Sequence, residues 1–430
     1  MTAHRQHDED SRPGSTGPAG HDGADTDHAE HLCVHGAGET DAPVASELDE
    51  AVDEARRGTV VSRRSILAGL GLASAAAAPT AAAAAAPGPA EGHASGAGSG
   101  PRRGAELVLL GTRAGPPVVA GNRGTSSVLV VDGVSYVIDA GRGAVTQFAE
   151  AGLRFDSIRA MLLTHLHADH LADYYNFFML GGHIPTPDGD QLTGPVTVLG
   201  PGPAGGLPPK FGGGEAPTIN PLDPIPGTVQ MTESLHAAYA YSSNVFLRDM
   251  NIRDVRTIMH VQEIQLPAGV AADFRNTAPS MDPFLIYQDE LVSVHATLVP
   301  HGPMFPSYGF RIDTEYGSVT FSGDTRRSEN LIAMGYGSDI MVHEAIGVEG
   351  APITPAALDH MLQSHVPVGE LGPVAQDADV DHLVVSHYTD LAQHPLDHEK
   401  WRRAAQLGFD GRVTIGRDLQ RFRLGRSSRH

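Results

Sequence analysis

Thr164-His165-Leu166-His167-Ala168-Asp169-His170 follows directly on the apolar run Ile158 to Leu163, and it sets how the rest of the chain is read. Imidazole nitrogen and carboxylate oxygen together suit zinc, a borderline cation that takes both donor types. A buried strand running into a turn aims His165 and His167 to one side, because alternate strand residues share a face. Asp169 and His170 then stand where a following helix begins, near enough to serve a second ion. The competing reading is a polar turn with incidental histidines. It does not account for four metal-competent side chains packed between a strand and a helix.

The chain has 430 residues, room for two or three domains by length alone, and a formal net charge of −21. That charge argues against a nucleic-acid binder with a broad basic face. Few aromatic residues with 50 Gly and 31 Pro indicate a loop-rich globular enzyme with disordered segments. Cys33 is the only cysteine, so no intramolecular disulfide forms.

Residues 1–61 are rich in Asp, Glu, His, Gly and Ser and read as a disordered acidic leader. Ser62-Arg63-Arg64-Ser65-Ile66-Leu67, then Ala68 to Leu72 and an alanine-rich run to Ala86, read as a twin-arginine export signal and linker over 62–97. The apolar part is too short and alanine-rich for a membrane span. A chance arginine pair before a low-complexity linker is the alternative, and the long charged stretch ahead of it counts on that side. Cleavage falls between about Ala84 and Ala97. Export by this route moves folded proteins, so metal loads in the cytoplasm and the enzyme works outside it, extracellular or periplasmic.

From Ala105 the texture is that of a fold. Strands are expected at Glu106 to Leu110, Ser126 to Val131, Ser135 to Ile138 and Ile158 to Leu163, with Asp132-Gly133 as a hairpin turn. Later strands are expected at Val196 to Leu199, Leu291 to Leu298, Tyr308 to Ile312, Ser318 to Phe321, Ile340 to Val342 and Leu383 to Val385. Helices fit Ala144 to Ala151 and 328–334, 367–377 and 396–407. Strands with helices between them give a layered α/β or α+β domain. The stretch from about 200 to 283 differs. Gly200 to Pro217 is nearly all Gly and Pro, Met231 to Met250 fits a helix and Thr257 to Gln265 a strand. It reads as an insertion over an active site, or as a solvated decoration with no role.

Further metal-competent residues recur in one context. His301, Asp324 and His387 each follow a short apolar strand, and loops at one edge of a layered sheet converge. Together with His165, His167, Asp169 and His170, and with Ser322-Gly323-Asp324-Thr325 and Ser386-His387, this set resembles the metallo-β-lactamase superfamily in its dinuclear form. The similarity runs from about Gly104 to Leu424 and implies a four-layer αββα sandwich. It also implies that His165, His167 and His301 hold one zinc, that Asp169, His170 and His387 hold the other, and that Asp324 bridges them. Manganese or iron is the lesser alternative to zinc.

Within the superfamily the chain is similar to the ribonuclease Z and arylsulfatase-like branch. Leu110-Gly111-Thr112, Asn122 to Ser127, Asp139-Ala140-Gly141-Arg142-Gly143 and His343-Glu344-Ala345 carry that likeness. Ser364-His365 stands where the branch has a further active-site histidine. The resemblance therefore implies catalytic or proton-transfer roles for Glu344 and His365, against a plain polar loop and helix cap. Ribonuclease Z grips transfer RNA with a basic Gly- and Pro-rich arm. Here Gly200 to Pro217 offers only Lys210, so nucleic acid is disfavoured as a partner. No cysteine stands where the commonest zinc β-lactamases need one.

The chemistry expected is hydrolysis of an ester-type bond, most simply a phosphodiester or aryl sulfate ester of a small molecule. A water shared by two zinc ions acts as hydroxide, Asp169 orients it, and His365 protonates the leaving oxygen. A lactone or β-lactam hydrolase is the first alternative, and an iron-dependent oxidoreductase on the same scaffold the second. His167, where di-iron relatives carry glutamate, favours zinc. A non-catalytic binding protein is expected to have lost a ligand, and none is missing.

Overall fold

The computed structural model describes residues 103–425 apart from 183, 251, 393 and 394. The acidic leader, the twin-arginine segment and Cys33 lie outside the described residues. Short, largely buried runs build β1 (Ala105–Gly111), β2 (Ser126–Val131) and β3 (Val134–Ile138), and β2 and β3 are joined by Asp132 at φ +50° and Gly133 at φ +86°. Positive φ at both turn residues is what a two-residue hairpin needs to match the strand twist. Helix α1 (Ala144–Glu150), strand β4 (Ile158–Leu162), α2 (Ala168–Leu171), α3 (Tyr174–Gly181) and β5 (Val196–Gly200) follow. Next come α4 (Thr228–Ala238), α5 (Ala240–Asp249), β6 (Met259–Glu263), β7 (Phe284–Gln288), β8 (Val292–Leu298), β9 (Tyr308–Thr314) and β10 (Gly317–Phe321). The chain ends with α6 (Glu329–Gly335), β11 (Ile340–Gly347), α7 (Pro355–Ser364), α8 (Leu371–Asp377), β12 (His382–Asp390), α9 (His398–Gln406), β13 (Arg412–Ile415) and β14 (Arg421–Leu424).

Two sheets result, in the orders β14-β1-β2-β3-β4-β5-β6 and β13-β12-β11-β10-β9-β8-β7. Each holds antiparallel pairings on one side and parallel ones on the other. The face between the sheets is filled by Leu107, Leu129, Ile138, Leu162, Val294, Leu298, Phe310 and Val342. The far side of the first sheet packs Val108, Val128 and Val137 against Phe148, Phe177 and Phe178 of α1 and α3. The far side of the second packs Met341, Leu383 and Val385 against Leu371, Val374 and Trp401 of α8 and α9. Helix, sheet, sheet, helix is the αββα sandwich that the sequence led us to expect.

Several elements differ from expectation. Met231 to Met250 is two helices, separated at Tyr239, whose ring packs 5.3 Å from that of Tyr175 and pins the chain there. The strand expected at Thr257 to Gln265 is the shorter β6, and it pairs with β5 at the edge of the first sheet. The end of the stretch read as an insertion is therefore sheet. Strands β11 and β12 run well past Val342 and Val385. Polar residues interrupt their apolar runs just where the functional side chains sit.

Candidate metal centre

Every candidate ligand leaves or lies near the carboxyl end of a strand. His165, His167, Asp169 and His170 follow β4, His301 follows β8 and Asp324 follows β10. His387 lies inside β12. There His343 pairs with Val385 and Ala345 with Tyr388, so Ser386 and His387 together stand opposite Glu344. The extra residue places His387 at φ +51°, and the bulge re-aims its ring. Asp324 depends on Gly323 at φ +58°, where a Cβ would come within 2.5 Å of the Tyr308 carbonyl oxygen. Only glycine lets β10 turn this tightly into the centre.

The structure brings all the expected ligands together in two groups. His165, His167, His301 and Asp324 form one, and Asp169, His170 and His387 the other. His167 Nδ1 lies 3.0 Å from His165 Nε2 and 3.1 Å from His301 Nε2. Asp324 Oδ2 is 3.8 Å from His165 Nε2 and 3.7 Å from His301 Nε2. Its other oxygen, Oδ1, is 3.3 Å from His170 Nε2 and 3.2 Å from His387 Nδ1. One carboxylate thus presents one oxygen to each group, as a bridge does. His387 Nε2 lies 3.3 Å from Asp169 Oδ2.

Three atoms at this junction, His170 Nε2, His387 Nδ1 and Asp324 Oδ1, are buried without any hydrogen-bond partner despite their proximity. They converge without pointing at one another. Donors about 2.1 Å from a tetrahedral ion lie about 3.4 Å apart, which is the spacing found here. Buried polar atoms left unpaired are costly, so the donor set fits a pair of divalent cations.

A second ring of contacts fixes the ligands. Asp139 Oδ2 lies 2.7 Å from His170 Nδ1 and accepts the Thr164 hydroxyl at 2.8 Å, while its Oδ1 accepts the Thr164 amide at 2.8 Å. His301 Nδ1 donates to the Ser364 carbonyl at 2.9 Å, leaving Nε2 for the centre. Asp169 Oδ2 accepts the Gly115 amide at 2.9 Å. Outer partners of this kind set the tautomer and aim of a ligating imidazole.

Burial pushes the His301 imidazole down to about 3 and holds His165 and His167 below the ordinary histidine value. Neutral imidazole is the form that binds a metal. His170 differs. Burial opposes its charge, but Asp324 and Asp139 outweigh it and raise the group well above the ordinary value. Asp324 itself is held far below the carboxylate range, its burial overcome by His387 and His170. Asp169 is likewise depressed against its burial by the hydrogen bond from His387.

Glu344 and His365 are in contact beside the centre. Glu344 Oε1 is 3.1 Å from His365 Nδ1 and accepts the Thr325 and Val366 amides at 3.1 and 3.3 Å. Burial disfavours a charge on His365, yet the Glu344 carboxylate outweighs it and raises the ring to about 9. The His365 ring centroid is 5.0 Å from that of His301 and 6.1 Å from that of His387. A protonated imidazole therefore faces both ligand groups. Asp139, Thr164, Gly115 and Ser364 have functional contacts that sequence reasoning did not assign. Asp139 was visible only as part of an aspartate–glycine turn, and its φ of +56° is the mark of that turn.

A ribonuclease Z from Mycobacterium bovis (strain BCG / Pasteur 1173P2) is 30% identical over 322 residues, covering 74% of this chain and 98% of that protein. The chain belongs to the ribonuclease Z family. A second ribonuclease Z, from Mycolicibacterium gilvum, is 29% identical over 324 residues, 74% of this chain and 96% of its own length. The family model described as "Anti-Pycsar protein Apyc1" matches residues 105–175. Among solved structures, the short form of human tRNase Z has a TM-score of 0.48 at 17% identity, over 74% of this chain and 99% of that one. The metallo-β-lactamase fold protein YhfI from Bacillus subtilis has a TM-score of 0.47 at 15% identity, over 74% and 99%. As a ribonuclease Z family member with the metallo-β-lactamase sandwich, the chain is a metal-dependent hydrolase of ester bonds.

Proposed function

We propose that this chain is a dinuclear zinc phosphodiesterase that acts on a small molecule outside the cytoplasm. The observation that carries the reading is Asp324, one buried carboxylate offering an oxygen to each of two ligand groups, with unpaired nitrogens of His170 and His387 around it. Imidazole-rich donor sets of this kind favour zinc. Bound there, two divalent cations supply an activated water at neutral pH and a Lewis acid for the charge building on the ester.

The protein's own groups do the rest. His165, His167 and His301 stay neutral and fixed, because burial keeps protons off them. Asp169, ionised and anchored by the Gly115 amide, orients the attacking water. His365, held protonated by Glu344, gives its proton to the leaving oxygen as the P–O bond breaks. Water and diester become a phosphomonoester and an alcohol.

Two features favour a small substrate over an RNA. The chain is strongly acidic, and from Gly200 to Pro226 Lys210 is the sole Lys or Arg, against Glu215 and Asp223. Arg63-Arg64 with the apolar segment behind it favours export.

Asp324→Ala provides the test. Metal per chain should fall from two to at most one, and hydrolysis of bis(4-nitrophenyl) phosphate should drop by about a thousandfold or more. Full activity in that variant refutes the two-metal reading. An aryl sulfate and a transfer RNA precursor run beside the phosphodiester decide the substrate class, and a preference for either over the phosphodiester overturns it.

A further inference from the structure

A cavity of about 380 Å³ opens beside His167. It is lined by Leu166, by Leu207 and Ile225 of the Gly/Pro-rich segment, by Met231 of α4, and by Met304 and Phe305 just past His301. His167 is the only titratable residue among those lining it, and no hydroxyl or amide side chain joins them. A nucleobase placed there would find no side-chain hydrogen-bond partner apart from His167 for its ring nitrogens and exocyclic groups. An apolar ring or branched chain loses nothing. An apolar cavity of about 150 Å³ already holds benzene, so this one has room for a fused bicyclic ring.

The position of the cavity says which part of the substrate it takes. It meets the ligand cluster through His167, whereas His365, Glu344 and His387 are not part of its lining. The departing alcohol faces His365, so the group that stays on phosphorus is the one directed at the cavity. We propose that this cavity binds the retained ester group of the substrate, and that this group is aryl or bulky alkyl. The substrate class is thereby an apolar phosphodiester rather than a nucleotide. This rests on the phosphodiesterase reading above.

The full-length, zinc-loaded protein is tested on 4-nitrophenyl phosphodiesters that share one leaving group. The retained group runs from methyl through phenyl to 2-naphthyl, with thymidine 5′-(4-nitrophenyl phosphate) as the polar comparison. kcat/KM should rise by about tenfold or more from methyl to 2-naphthyl, with the nucleoside ester below phenyl. Leu207→Asp, in a stretch without helix or strand, should bring the naphthyl-to-methyl ratio close to one. Binding is read separately from the fluorescence of 2-naphthyl phosphate, displaced by phenyl or methyl phosphate. The naphthyl compound should bind the more tightly, and the Leu207→Asp variant should lose that preference. A flat series, a nucleoside ester as the best substrate, or a gradient that survives Leu207→Asp overturns the proposal. If the binding gradient holds but no diester is hydrolysed, the phosphodiesterase reading fails and the retained-group assignment with it, and the cavity stands only as a site for an apolar ring.

Discussion

His365 is the side chain whose chemistry is most open to measurement. Glu344 holds its imidazole at about 9, and as the proton donor it is active only below that value. Activity should therefore fall as pH rises through about 9. His365→Gln should lower kcat by about a hundredfold, as loss of a general acid does, and remove that alkaline limb. KM should change little, and a variant that keeps the limb would move the donor elsewhere. The ligands themselves were legible because metal chemistry restricts donors to a few residue types, and each stands after a short apolar run that marks its context. Asp139 was not legible in the same way. It ligates nothing, and its grip on His170 and Thr164 follows from a turn bringing together residues far apart in sequence.

The β10 end and the β12 bulge show how elements deliver these groups. In Gly323→Ala the new Cβ meets a backbone oxygen at 2.5 Å, and φ +58° adds strain. We expect a loss of about 1–3 kcal/mol in stability by thermal or denaturant melting. Bound metal should fall with it, since Asp324 is the next residue. An unchanged melting curve and metal content would mean that the turn is not needed. Strands such as β2 and β8 could be placed from their short apolar runs alone. The full lengths of β11 and β12 could not, because Glu344, Ser386 and His387 are polar residues buried for function. Helix α3 was missed for the opposite reason. Its Tyr174, Tyr175, Phe177 and Phe178 are all buried, so no polar face marks it as a helix.

For the molecule as a whole, the arginine pair bears on where the protein works. If Arg63-Arg64 addresses the chain for export, Arg63→Lys with Arg64→Lys should leave most of the protein in the cytoplasm by cell fractionation. Equal export of that variant would mean that the arginine pair is not the address, and retention of the parent chain in the cytoplasm would locate the enzyme inside the cell. The layered α/β character followed from the order of the apolar runs, and the αββα sandwich from the resemblance that the ligand motifs carry. The last strand did not, because Arg421 to Leu424 alternates over too few residues to be told from coil.

That last strand has a consequence for biogenesis. Arg421–Leu424 pairs with Ala105–Val108, so the outer strand of the first sheet is made long after the strand it covers. At about 5–20 residues per second, the β1 edge waits roughly a quarter of a minute to a minute on the ribosome before its partner exists. Through that interval a nascent chain shows an unpaired, apolar strand edge, the kind that recruits stray chains. Until Arg421–Leu424 arrive β1 is the outer strand of that sheet, and a chain that stops short of Arg421 encodes both ligand groups while leaving the apolar β1 edge uncovered.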